Sequence, residues 1–147
     1  MVCNGMLLSP ERLDEFVGAG LKSLAVSFDG FEEDHNWMRG NQQSFKNVLR
    51  AVEGMKQHPG LTWDVITCVN QRTIRYLPQF RDYLISLGIR RWRLFTVFPS
   101  GRAAGDPELK LTNSQFIEMM EFIKETRLEG KIRADYGCDG FLGSYEG

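Results

Sequence analysis

Ser27, Asp29 and Arg39 are the residues whose types and spacing invite chemistry. The run Leu24-Ala25-Val26-Ser27-Phe28-Asp29-Gly30 is an apolar strand that ends in a hydroxyl and a carboxylate. A polar stretch follows, containing His35-Asn36-Trp37-Met38-Arg39-Gly40, and Ser44-Phe45 opens a helix. Ligands in parallel α/β proteins bind at the carboxyl ends of strands. A hydroxyl, a carboxylate and a guanidinium gathered there suit a small zwitterionic or ribose-bearing ligand. The same residues also fit an ordinary βα turn, with Asp29-Gly30 as turn residues and Arg39 as a surface cation. From pattern alone that plainer reading is the stronger, because polar loops of this kind are common.

Positioning such a rim takes a set of strands and helices, and the chain supplies them in alternation. Val2 to Asn4 reads as the end of a strand, with Asn4-Gly5 as a turn. Ser9-Pro10-Glu11 starts a helix: a capping hydroxyl, a proline at the first position and an acid at the positive dipole end. Leu13, Phe16 and Val17 follow at helical spacing, and Gly18 and Gly20 end it. Leu21 to Ser27 is a buried strand. A second helix is predicted from a cap near Ser44, with Phe45, Val48, Leu49, Val52 and Met55 on one face and His58-Pro59-Gly60 as its stop. Leu61 to Val69 is a strand ending in Asn70-Gln71. A third helix has Pro78 near its start, Leu77, Phe80, Leu84 and Leu87 on its buried face, and Gly88 as its cap. Ile89 to Phe98 is a strand, and Pro99 to Gly105 is a loop. Thr112 or Asn113 caps a fourth helix, with Phe116, Met119, Met120 and Ile123 inward and Gly130 closing it. Ile132 to Tyr136 reads as a last strand, and Gly137 to Gly147 as an irregular tail. Strand and helix in turn argue a parallel sheet covered by helices. Four to five parallel strands with four helices are too few to close an eight-stranded barrel. The expected fold is therefore α/β: a partial (β/α) TIM-like barrel with an open edge, or a small open sheet.

Composition narrows the function. The 147 residues amount to about one domain, with 42% hydrophobic and 25% charged residues, as in ordinary globular chains. A net charge of −1 gives no electrostatic case for nucleic acid or an anionic membrane. No apolar run is long enough to span a bilayer, and no signal peptide is visible. Cys3, Cys68 and Cys138 lie far apart, without CxxC spacing, so neither a disulfide framework nor a complete metal site can be read. Free thiols fit a reducing cytoplasm. No GxGxxG or GxxxxGK[ST] is present, which argues against Rossmann and P-loop nucleotide sites. His35 reads as a loop hydrogen-bonder rather than a catalyst. Trp37, Trp63 and Trp92 read as packing residues, and Cys68 as a small buried hydrophobe.

Taken in order, several stretches resemble one family. Asn4-Gly5, Val26-Ser27-Phe28-Asp29-Gly30, His35 and Arg39, Ser44-Phe45, Val69-Asn70, Pro99-Ser100-Gly101-Arg102-Ala103 and Tyr136-Gly137-Cys138-Asp139-Gly140 are similar to the second half of the radical S-adenosylmethionine (radical SAM) barrel. The resemblance extends to members with a C-terminal SPASM extension, such as sulfatase-maturating, peptide-modifying and haem or quinone cofactor-maturing enzymes. It implies a barrel part over residues 1–136 and the start of a SPASM-like extension over 137–147. It assigns Ser27 to the methionine moiety or ribose of the cofactor, Asp29 to stiffening the turn, and Arg39 to the cofactor carboxylate, a pairing guanidinium makes well. Asn70 would line the cavity, Phe98 through Gly101 would pack near adenine, and Cys138 would ligate an auxiliary iron–sulfur cluster.

The resemblance further implies S-adenosylmethionine and a [4Fe–4S] cluster in a full-length parent. Reductive cleavage there yields a 5′-deoxyadenosyl radical that abstracts hydrogen from a peptide or a cofactor precursor, with flavodoxin or ferredoxin as electron donor. The family's CxxxCxxC loop and Gly-Gly-Glu-Pro segment are absent from these 147 residues, and His35-Asn36 stands where related chains often read His-Asp. The expectation is a fragment that is inactive alone, binds no cofactor by itself and self-associates through an open sheet edge. A metal-free α/β binding module and a degenerate partner subunit are the alternatives.

Overall fold

The computed structural model describes residues 1–98, 100–137 and 145. Five strands hydrogen-bond in chain order, β1 (Val2–Cys3), β2 (Ser23–Ser27), β3 (Thr62–Val69), β4 (Arg91–Thr96) and β5 (Arg133–Tyr136). The pairing is parallel, as the alternating sequence requires, with Ser23 opposite Thr62, Ser27 opposite Ile66, and Arg91 opposite Arg133. The helices are α1 (Pro10–Gly18), α2 (Glu32–Arg39), α3 (Ser44–Lys56), α4 (Leu77–Ser86) and α5 (Asn113–Glu129), with short 3-10 turns at Ile74–Tyr76, Gly101–Gly105 and Pro107–Leu109. The α/β alternation and partial-barrel class expected from the sequence are observed.

The chain forms two compact units, Met1–Ile66 and Thr67–Gly147. In the first, Leu24, Val26 and Phe28 of the β2 segment and Val48, Val52 and Met55 of α3 are fully buried. Gly5 makes this packing feasible. Its φ of 74° is left-handed, and a Cβ there would sit 3.1 Å from Val26 Cγ2 and 3.5 Å from the Val48 Cα. In the second unit Trp92 is the centre. Its ring meets Phe80 and Phe122 edge-on, and its indole N–H donates to Thr67 Oγ1 at 2.7 Å. An aromatic core residue with a satisfied polar handle is the stable way to bury tryptophan. Thr112 and Gln115 form a reciprocal capping box on α5, and Gly130 closes that helix at φ 69°.

Several expectations are corrected. The polar stretch before Ser44 contains a helix, α2, so the described residues form five α-helices rather than four. Its sequence shows no apolar periodicity because its buried face is polar, formed by Asp34, His35 and Asn36. The remaining signals were present: Glu32, Glu33 and Asp34 in the first turn, Arg39 in the last, and Gly40 in the left-handed conformation after it. Ser44 is the first residue of α3 rather than its cap. The Phe45 N–H is accepted by Asn36 Oδ1 at 2.9 Å, a cap lent by the preceding helix. Phe16 is exposed, and Leu87 and Cys68 are half-buried, so each lies less deep than its spacing suggests. β4 stops at Thr96, which leaves Phe98 beyond the strand and 81% exposed. Among the described residues, no helix is long and apolar enough to cross a membrane.

Candidate functional site

The end of β2 is built by the strand and by α2. Leaving β2, Phe28 donates its N–H to Ile66 O, and the chain then turns through Asp29 and Gly30. Gly30 has φ 142°, a conformation that side-chain-bearing residues rarely adopt. Asp29 is fully buried. α2 grips it twice from one face, because His35 and Arg39 are four residues apart. The Asp29 N–H donates to His35 Nδ1 at 3.0 Å. Arg39 Nε and Nη2 converge on Asp29 Oδ2, each at 2.5 Å.

His35 is fully buried in an aromatic slot, with Phe28 and Phe45 edge-on at 5.7 and 6.2 Å. Burial pushes its pKa down to about 4, the Arg39 guanidinium presses the same way, and the Ser44 backbone carbonyl opposes them. The ring is neutral at physiological pH, with Nδ1 an acceptor and the proton on Nε2. The 3.6 Å approach of Nδ1 to Asp29 Oδ2 is therefore not an ion pair. The charge of Asp29 is instead met by Arg39, whose side chain is 24% exposed. Among the described residues Nη1 of Arg39 has no partner, so part of the fork stays available. Ser27 is nearly buried at the strand end, and among the described residues none bonds its hydroxyl. The structure thus brings Asp29 and Arg39 together, with Ser27 two residues before Asp29.

Asn70 ends β3 in a different manner. It is fully buried, and its Oδ1 accepts the N–H groups of Arg72 and Thr73 at 2.9 and 3.2 Å. Its own N–H donates to Thr73 Oγ1. The side chain is engaged in shaping its own turn. Beside it, Gln71 Nε2 donates to Pro107 O and Lys110 O, and Lys110 Nζ donates to Ala104 O. This chain of bonds ties the Gly101–Gly105 turn to the end of β3. Gly101 is exposed at φ 59°. Pro99 and Cys138 lie outside the described residues, as does nearly all of the tail expected to begin a SPASM-like extension.

Asn36 has a structural role beside the site that sequence reasoning did not assign. Its amide accepts from Phe45 N–H and donates to Gln42 O, fixing the α2–α3 connection. An aspartate could accept but not donate there. A signal existed in the change from Asp to Asn after His35, but only the fold supplies the two partners.

Among the described residues, no group of three or more His, Cys, Asp and Glu could hold a metal ion. This donor set among the described residues does not fit an iron–sulfur cluster. The free Ser27 hydroxyl and the Nη1 of Arg39 do fit the hydroxyl and carboxylate groups of an amino-acid-bearing nucleoside such as S-adenosylmethionine.

The model of the radical SAM superfamily matches residues 1–84. An "AdoMet-dependent heme synthase" of Methanosarcina barkeri is 26% identical over 139 residues, covering 94% of this chain and 39% of that protein. A second of that name, from Oleidesulfovibrio alaskensis, is 26% identical over 92% of this chain and 35% of its own length. An "Fe-coproporphyrin III synthase" of M. barkeri is 25% identical over 93% of this chain and 36% of its own. A solved structure of anSMEcpe with bound AdoMet and the Kp18Cys peptide shares the fold, with a TM-score of 0.72, 20% identity, and coverage of 91% of this chain and 39% of that one. The chain spans roughly two fifths of the length of these relatives. With more than half its residues matched by the family model, it belongs to the radical SAM superfamily.

Proposed function

We propose that this chain is the cofactor-carboxylate side of a radical SAM oxidoreductase barrel whose substrate is an iron-porphyrin precursor. The observation that carries the reading is the end of β2. There Asp29 holds Arg39 by two of its nitrogens and leaves Nη1 over, beside a strand ending in an unbonded Ser27 hydroxyl. In this reading Arg39 Nη1 takes the carboxylate of S-adenosylmethionine in a charge-assisted hydrogen bond. Ser27 takes the methionine moiety or a ribose hydroxyl. Asp29 keeps the guanidinium aimed and offsets its charge. Asn70, and Phe98 through Gly101, are the further residues that the family resemblance assigns to the cofactor, Asn70 to the cavity lining and Phe98 to adenine. The cofactor, when bound, supplies radical chemistry for hydrogen abstraction; this chain's residues bind and orient it.

The substrate class rests on the names of the relatives, haem and Fe-coproporphyrin III synthases, which favour a cofactor precursor over a peptide. Residues 1–136 are the barrel part in this reading. Residues 137–147 begin a SPASM-like extension with Cys138 as an auxiliary-cluster thiolate, and flavodoxin or ferredoxin serves the parent as electron donor. The test is titration of S-adenosylmethionine into the full-length parent by calorimetry. Arg39→Ala is expected to weaken binding about tenfold, the loss of one charged hydrogen bond. Unchanged affinity would remove Arg39 from the site.

A further inference from the structure

His35 makes one hydrogen bond that a simple core residue would not need. It is fully buried, and its Nε2 makes no well-formed hydrogen bond among the described residues, the Ser44 backbone carbonyl being the group that acts on the ring. An orphaned buried N–H is costly. The slot between Phe28 and Phe45 is aromatic on both sides, and phenylalanine would fill it without that penalty. What histidine adds over phenylalanine is Nδ1, which accepts the Asp29 N–H at 3.0 Å. The Asp29 amide sits at a turn just past the last ladder bond, Phe28 N–H to Ile66 O, and is followed by Gly30 at φ 142°.

We propose that His35 is the positioning residue for Arg39: by accepting the Asp29 N–H it fixes the orientation of Asp29, and the Asp29 carboxylate then fixes the guanidinium. α2 thereby holds one residue at two points, the backbone through His35 and the side chain through Arg39. His35 touches no ligand in this arrangement and acts only through Asp29 and Arg39. The proposal rests on the reading above to the extent that Arg39 meets a ligand carboxylate. Its geometric half can be tested without that reading.

The first measurement needs no variant. In the 15N-labelled wild-type chain, a scalar coupling across the hydrogen bond between the Asp29 amide nitrogen and His35 Nδ1 is expected, and its absence overturns the proposal. Two substitutions then separate acceptor from packing. His35→Phe fills the slot without an acceptor, and His35→Asn returns an acceptor oxygen near the Nδ1 position. In His35→Phe the Arg39 Nε–H is expected to exchange with solvent about tenfold faster, and, in the full-length parent, the dissociation constant for S-adenosylmethionine to rise about tenfold, as in Arg39→Ala. The double variant is expected to lose no more than either single one, because the two residues act in series. His35→Asn is expected to recover both the slow exchange and the affinity.

A His35→Phe chain with wild-type affinity, beside a weakened Arg39→Ala, sinks the proposal and leaves the proposed function standing. An Arg39→Ala chain that binds as wild type sinks the reading of Arg39 as a ligand contact. Exchange at Arg39 Nε then decides the proposal alone, and slow exchange in His35→Phe overturns it. Should His35→Phe unfold, fast exchange in a folded His35→Asn chain is the overturning result.

Discussion

The ends of β2 and β3 solve one problem in two ways. Each leaves a strand through a fully buried polar residue, Asp29 or Asn70. Asn70 satisfies its own surroundings: its side-chain oxygen accepts the next turn's N–H groups, and nothing beyond residue 73 is needed to hold it. Asp29 is a carboxylate, and it is held by a cation ten residues away. This pairing makes the β2 end a place where a later element is recruited and its guanidinium held ready. A self-contained amide builds a turn, whereas a buried carboxylate imports a partner and leaves that partner's spare donor available.

Three outcomes would break or sharpen this contrast. The largest is expected from Arg39→Met, which keeps an apolar stem but takes the guanidinium away from Asp29. Chemical denaturation should show a loss of about 4 kcal/mol, and a loss under 1 kcal/mol would mean that Asp29 does not depend on Arg39. Next is acid. The pKa of His35 is about 4 in the folded chain against 6.5 when free, so between those values the unfolded chain binds the extra proton. Stability is then full above pH 6.5, falls as pH drops toward 4, and levels off below; the total attributable to His35 is about 3 kcal/mol. His35→Asn should flatten that slope, and a slope unchanged by the substitution would place its origin elsewhere. Smallest is Asn70→Ala, expected to cost about 1 kcal/mol for the two backbone bonds that its side-chain oxygen accepts, since Thr73 N–H keeps the Asn70 carbonyl. Its cost should not vary between pH 4 and 6.5, since no charge is involved. A pH-dependent loss there would erase the distinction between the two strand ends.

Much of the fold was legible because burial on a strand or a helix leaves a period in the residues. Leu24 to Ser27, the Val48 and Val52 face of α3, and Gly88 and Gly130 after their helices were each readable from spacing and backbone chemistry. α2 was not, because its inward face carries Asp34, His35 and Asn36, and hydrophobic periodicity has nothing to register there. The rim residues were found as types at strand ends, and the resemblance to a family gave them an order. Their partners could not be found in that way.

The sequence by itself determined the alternation of strand and helix, the parallel order and the polar character of the strand ends, since each depends on neighbours a few residues apart. Tertiary structure alone decided that Asn70 would serve its own turn and Asp29 would hold Arg39. It also decided that His35 would enter an aromatic slot with one nitrogen bonded and the other not. Hydrogen-bond partnership between buried groups is set by distances that exist only once the elements have packed, and no spacing along the chain encodes it.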